Sequence, residues 1–192
     1  MRTLRMLTLS SLMLGFTLPA FAHTGTGWHD HDFLAGFVHP LGGIDHVLAM
    51  LAVGFWAALV GQNARFIWPL GFVAFVAVGA FFGVQGVSLP ATELMIAASV
   101  AGLGLVVASG WQAPVIAGLS LSAFFGLAHG MAHGVEMPAD ANGLAYGLGF
   151  LTATGLLHTC GLGLGLRANP LIGKATGLGL AVIGAGLLAG SL

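Results

Sequence analysis

His39, Asp45 and His46 stand in HPLGGIDHVLAM, inside a run that is otherwise apolar from Phe33 to Val60. A charged side chain near a bilayer centre costs roughly 2.5–3.5 kcal/mol on insertion scales, so chains keep such residues where they face a partner, a cavity or an ion path. His39 and His46 are seven residues apart, about two helical turns, and share one face if the helix runs unbroken. Pro40 fits best at a helix start, and the Gly42-Gly43 pair is a weak point in any helix that crosses it. Asp45 lies about a third of a turn off that face, so a break or a second helix must bring the three together.

A second group lies in FFGLAHGMAHGVEMP. His129 and His133 are i,i+4, Glu136 is three further on, and all three project from one side of a helix. Such a histidine pair offers two nitrogens to one metal ion. Gly130 occupies the position where H-E-x-x-H needs its glutamate, which sets a zinc-protease reading aside. The plain alternative is two histidines hydrogen-bonded within a helix bundle. It is weakened by Glu136 and by the His/Asp/His group at similar depth.

LLHTCGLG contributes His158 and Cys160. His158 lies about 24 Å along a helix counted from Asn142, toward the opposite membrane surface. It reads either as a ligand or as a satisfied core histidine. Cys160, two residues on and nearly on the opposite face, reads as a small packing residue. Met50 and Met131 are soft donors near the histidines but ordinary in a membrane helix.

Imidazole and carboxylate donors suit nickel, cobalt or zinc better than calcium or monovalent copper. Depth orders them: Glu136, His133 and His39 near the outer surface, His129, Asp45 and His46 near the middle, His158 deeper. A few ligands per level is what a conducted ion needs, because a closed four-ligand cage would trap it.

The elements that position these residues belong in lipid. Charged residues make up 6% of the 192 and hydrophobic residues 57%, with a mean hydropathy of +0.99. That is a membrane composition. The net charge of −1 comes with no basic patch for a nucleic acid, and the single Cys160 excludes an internal disulfide. The 32 glycines lie inside apolar runs, where they let helices approach closely.

Residues 1–22 read as a secretory signal: Arg2 and Arg5, an apolar stretch from Leu7 to Leu18, then Ala20-Phe21-Ala22 as the cleavage site. The mature chain would begin at His23, whose α-amino group and imidazole can chelate a metal. His29, His31, Asp30 and Asp32 stand beside it in a His-rich periplasmic segment over 23–33. Residues 34–192 then form one membrane domain. Its six apolar segments lie near 34–60, 65–86, 92–110, 113–135, 142–166 and 171–190, each about long enough to cross roughly 30 Å of hydrocarbon. Short loops predict that sequential helices pack as antiparallel neighbours. With the N-terminus outside, Arg65, Arg167 and Lys174 flank inside loops, while Glu93, Glu136 and Asp140 lie outside, as the positive-inside rule asks. The second, third and sixth segments carry no ionisable residue in their interiors and read as packing helices. The fold class expected is an all-α integral membrane protein with six transmembrane helices after a cleaved signal peptide.

HPLGGIDHVLAMLAVGFWAA, FFGLAHGMAHGVEMP and LLHTCGLGLG together resemble the HupE/UreJ family of nickel permeases, over nearly the whole mature chain. The resemblance implies nickel import across the inner membrane for hydrogenase or urease. It assigns function to His39, Asp45 and His46, with His129, His133 and Glu136 as the second group. The spaced His…Asp-His also resembles, with one extra residue, the motif of the larger nickel/cobalt transporter family. The expected substrate is Ni2+, with Co2+ as second candidate, and no organic cofactor. The expected partners are the lipid bilayer and the metal ion, with no nucleic acid and the oligomeric state open. No G-x-x-x-x-G-K-[ST] motif is present, so this chain would not hydrolyse ATP. A cation moving inward gains about 2.3 kcal/mol per charge per 100 mV of membrane potential. Two rival readings are a haem- or metal-binding membrane enzyme and a non-transporting metal sensor or chaperone.

Overall fold

The computed structural model describes residues 30–191. The expected signal segment 1–22, with His23 and His29, lies outside the described residues, as do the side chains of Asp30 and His31. The described chain is helical: α1 (Asp30–Val38), a 3-10 turn (His39–Leu41), α2 (Ile44–Val60), α3 (Ala64–Val84), α4 (Thr92–Ser109), α5 (Val115–Glu136), α6 (Gly143–Gly165) and α7 (Pro170–Gly190). Among the described residues five helices are long and apolar enough to cross a membrane, six if α1 and α2 count as one broken span. Large apolar side chains such as Phe66, Leu70, Ile116, Leu144, Leu171 and Val182 are exposed around the bundle.

The expected first span is not a continuous helix. α1 and α2 meet at 81°. Pro40 sits in the 3-10 turn and Gly43 takes an extended conformation ahead of α2, so the chain turns where a backbone donor is missing and where side-chain restraint is least. α1 begins at Asp30, so the end of the segment expected to be a hydrophilic tail is helical. Its anchor is Asp32, whose carboxylate accepts the Asn142 N–H at 3.0 Å. Asn142 in turn caps α6, its side-chain oxygen accepting the N–H groups of Leu144 and Ala145, each at 3.1 Å.

The expectation of sequential antiparallel neighbours fails. The extensive pairings are α3 with α5, α4 with α7 and α2 with α6. Glycines decide this, because two helices in lipid gain most where small residues let their backbones meet. A side chain added at Gly54 would collide with the His158 backbone, one at Gly161 with Leu51, and one at Gly165 with Phe55. In the other seam, Gly130 meets Val76, Gly79 meets Leu127 and Gly83 meets Met131. Short loops limit only how far apart helix ends lie, and they leave the choice of partner to these faces.

The two glycine seams correspond residue for residue. Leu51–Gly161 matches Leu127–Gly79, Gly54–His158 matches Gly130–Val76, and Phe55–Gly165 matches Met131–Gly83. From Leu51–Gly161 to Phe55–Gly165, and from Leu127–Gly79 to Met131–Gly83, both numbers rise by four, so the paired helices run parallel. α4 and α7 pair antiparallel, with Gly104 on Ala181 and Gly177 on Ala108, so this pair corresponds to itself. Exchanging α2, α3 and α4 with α5, α6 and α7 therefore maps these glycine seams onto one another. That is the packing pattern of an inverted repeat, which places sites at the interface of its halves.

Candidate metal centre

Two elements converge on the first cluster. The turn between α1 and α2 delivers His39, and the last turn of α5 delivers His133 and Glu136. His39 Nε2 lies 2.8 Å from His133 Nδ1 and 3.1 Å from Glu136 Oε2. His133 Nδ1 is 3.3 Å from the same carboxylate oxygen. The three donor atoms form a triangle, and the three residues could hold a metal ion. A metal bound at about 2.0–2.2 Å would set its ligand atoms roughly 3.0–3.4 Å apart at octahedral to tetrahedral angles, close to the triangle's edges. The cluster opens outward: the Glu136 side chain is 49% exposed and that of His133 only 5%. Beside it, Glu93 and Glu136 both line a cleft of about 130 Å³. Two carboxylates at one mouth raise the local concentration of cations.

The second cluster lies behind the first. The His46 ring packs 4.3 Å from that of His133 and 5.1 Å from that of His129. Asp45 does not join His39 in one shell. Its Oδ1 accepts the ring Nδ1–H of His46 at 2.6 Å and the backbone N–H of His46 at 2.8 Å. It sits too far around α2 to meet the outer triangle, and it orients His46 instead. Gly43 makes room for the pair, since a Cβ there would stand 2.8 Å from Asp45 Oδ1. His129 is fully buried, and its Nδ1–H donates to the Phe125 carbonyl at 2.9 Å. The Nε2 atoms of His46, His129 and His133 are all buried without a partner among the described residues. A buried polar atom left unpaired costs about 1–3 kcal/mol. A ring held through Nδ1 with Nε2 free is how metal-ligating histidines are oriented.

His158 is close to neither cluster's donors. It is buried on α6, and the Phe72 ring packs against both histidines, with centroids 5.4 Å from His129 and 5.0 Å from His158. Cys160 is exposed, on the far side of α6 from that interior. Met50 is a core residue with no exposure, and Met131 is nearly as buried.

Sequence reasoning passed over several residues. Phe72 belongs to the second span, read as a packing helix, yet its ring touches two of the histidines. An aromatic residue in an apolar run carries no local signal. Phe150, 4.4 Å from His133, and Tyr146, 5.8 Å from His39, wall the outer cluster. Glu93 had entered only as a charge marking the outside.

The chain matches the family described as HupE / UreJ protein over residues 11–189. It is 39% identical to Protein HupE of Rhizobium leguminosarum bv. viciae over 186 residues, 95% of this chain and 97% of that one. No solved structure matches it. With likeness running through both histidine clusters and almost end to end, the chain belongs to the HupE/UreJ family.

Proposed function

We propose that this chain is a six-span inner-membrane permease that carries Ni2+, with Co2+ as the second candidate, from the periplasm toward the cytoplasm for a nickel enzyme such as hydrogenase or urease. The observation that carries the reading is the His39–His133–Glu136 triangle followed directly inward by His46 and His129. The outer donors present two nitrogens and one oxygen, a set suited to a borderline divalent ion. His133 links the levels: its Nδ1 belongs to the triangle, while its ring packs on His46. An ion can thus exchange ligands one at a time, never held by a closed cage. The membrane potential supplies the direction. The chain acts as a transporter, not an enzyme, and no organic cofactor enters this reading.

Purified protein in proteoliposomes tests it. Nickel influx under an inside-negative potential supports the permease. Metal binding without flux would identify a sensor or chaperone, and a haem absorbance band would identify the enzyme alternative. Within this assay, His46→Ala is expected to abolish influx, and Asp45→Ala to reduce it about 10–100-fold, the usual cost of losing the group that orients a ligand. Wild-type rates in either variant, at equal amounts in the bilayer, would refute the middle-site assignment.

The N-terminal proposal extends the same path outward. Cleavage after Ala22 would leave His23 first, over a periplasmic segment reaching residue 33, and its free α-amino group and imidazole would capture scarce metal. N-terminal sequencing of membrane-extracted protein should return His-Thr-Gly-Thr. An intact Met1 would remove the capture role.

A further inference from the structure

We propose that His158 is a third metal station, on the cytoplasmic side of Phe72, with Ser122 as its neighbour in depth. This deepens the permease reading and rests on it. The His158 Nδ1–H donates to the Thr154 carbonyl at 2.7 Å, which fixes the tautomer and leaves Nε2 as a bare lone pair. That nitrogen is buried, with no partner among the described residues. His129 shows the same arrangement one level out: Nδ1–H on an i−4 carbonyl, Nε2 buried and unpartnered. A histidine kept only for packing has no reason to leave a nitrogen unsatisfied in a dry interior, and a ligand does. The two imidazoles flank one ring, Phe72, which is itself wholly buried. An ion leaving His46 and His129 therefore meets His158 once Phe72 yields.

Ser122 supplies an independent pointer. Its hydroxyl is fully buried and also has no partner among the described residues. It lies on α5 one turn from Gly126, which packs on Phe72, and one turn from Gly118, which packs on Trp68. Its depth is therefore between residues Phe72 and Trp68 of α3. The contact correspondence that takes Leu51 to Leu127 takes His46 to Ser122, so the orphan hydroxyl occupies the inverted counterpart of the middle station's ligand. Further inward, Trp68 packs on Trp56 at 4.2 Å. Trp56 and Trp111 then line a cavity of about 460 Å³ at the inner end. The inner half thus holds the same kinds of parts as the outer half: donors, an aromatic partition and an opening.

Equilibrium binding of Co2+ to the purified full chain in detergent tests this without relying on transport. Wild type should bind at more than one site, with d–d absorption bands from each. His158→Asn keeps a donor for the Thr154 carbonyl but has no Nε2. It should lose one Co2+ equivalent and its bands, while His133→Ala loses a different one. His158→Ala should match His158→Asn. Unchanged stoichiometry and spectrum in His158→Asn would overturn the proposal, as would restoration of the Ala defect by Asn, which would mark a structural hydrogen bond. Failure of the permease reading appears elsewhere, as wild-type protein that binds cobalt but moves no nickel across a vesicle membrane.

Discussion

Replacing His133 with alanine is expected to lower nickel uptake on the order of 100-fold or more, since losing even the hydrogen-bond partner of a metal ligand costs about 10–100-fold. Among the described residues no other donor serves both levels. Its Nδ1 stands 2.8 Å from His39 Nε2 and 3.3 Å from Glu136 Oε2, and its ring packs 4.3 Å from His46. Removing it leaves the outer site with two ligands and opens a gap before the middle one. Glu136→Gln should be milder, about 10-fold, because an amide oxygen still coordinates but no longer carries the charge that attracts a cation. Uptake of 63Ni by cells, normalised to protein in the membrane, reads both. If His133→Ala transported within about twofold of wild type while His39→Ala did not, the outer site would be real but the hand-off through His133 would be wrong.

Gly130→Leu is expected to remove folded protein altogether. A Cβ at Gly130 falls on the Val76 backbone, and a leucine would force apart the α3–α5 seam over the turn that carries His129 and His133. Overpacking a tight interface costs about 1–3 kcal/mol even for small insertions, and here the obstacle is main chain that cannot rotate away. Gly54→Leu should behave alike, because Gly54 holds the corresponding place against His158 in the α2–α6 seam. Gly155→Leu is the control, since nothing lies within 4 Å of a Cβ there. Size-exclusion profiles and thermal unfolding in detergent should show loss of the monodisperse species in the first two and wild-type behaviour in the third. Monodisperse Gly130→Leu protein with wild-type nickel uptake would contradict the pairing of α3 with α5.

The sequence by itself determined the main elements and named the candidate donors. Hydropathy placed the segment at 92–110 where α4 runs from Thr92 to Ser109, and the segment at 171–190 where α7 runs from Pro170 to Gly190. The spacing of His129, His133 and Glu136 settled that they share a helix face, because helical periodicity is a local property of the backbone. The same local rules marked Pro40 and Gly42-Gly43 as the place where the first span breaks. Tertiary structure alone decided who meets whom. Away from the few ionisable positions the helices carry no amphipathic stripe that says which neighbour each takes, and a glycine becomes an interface only when another backbone arrives at it. That arrival brings His39 onto His133 across 94 positions of sequence. It leaves Asp45 to orient His46 where the spacing had set it beside the ligands. It also packs Phe72, from a helix with no ionisable residue in its interior, against both His129 and His158.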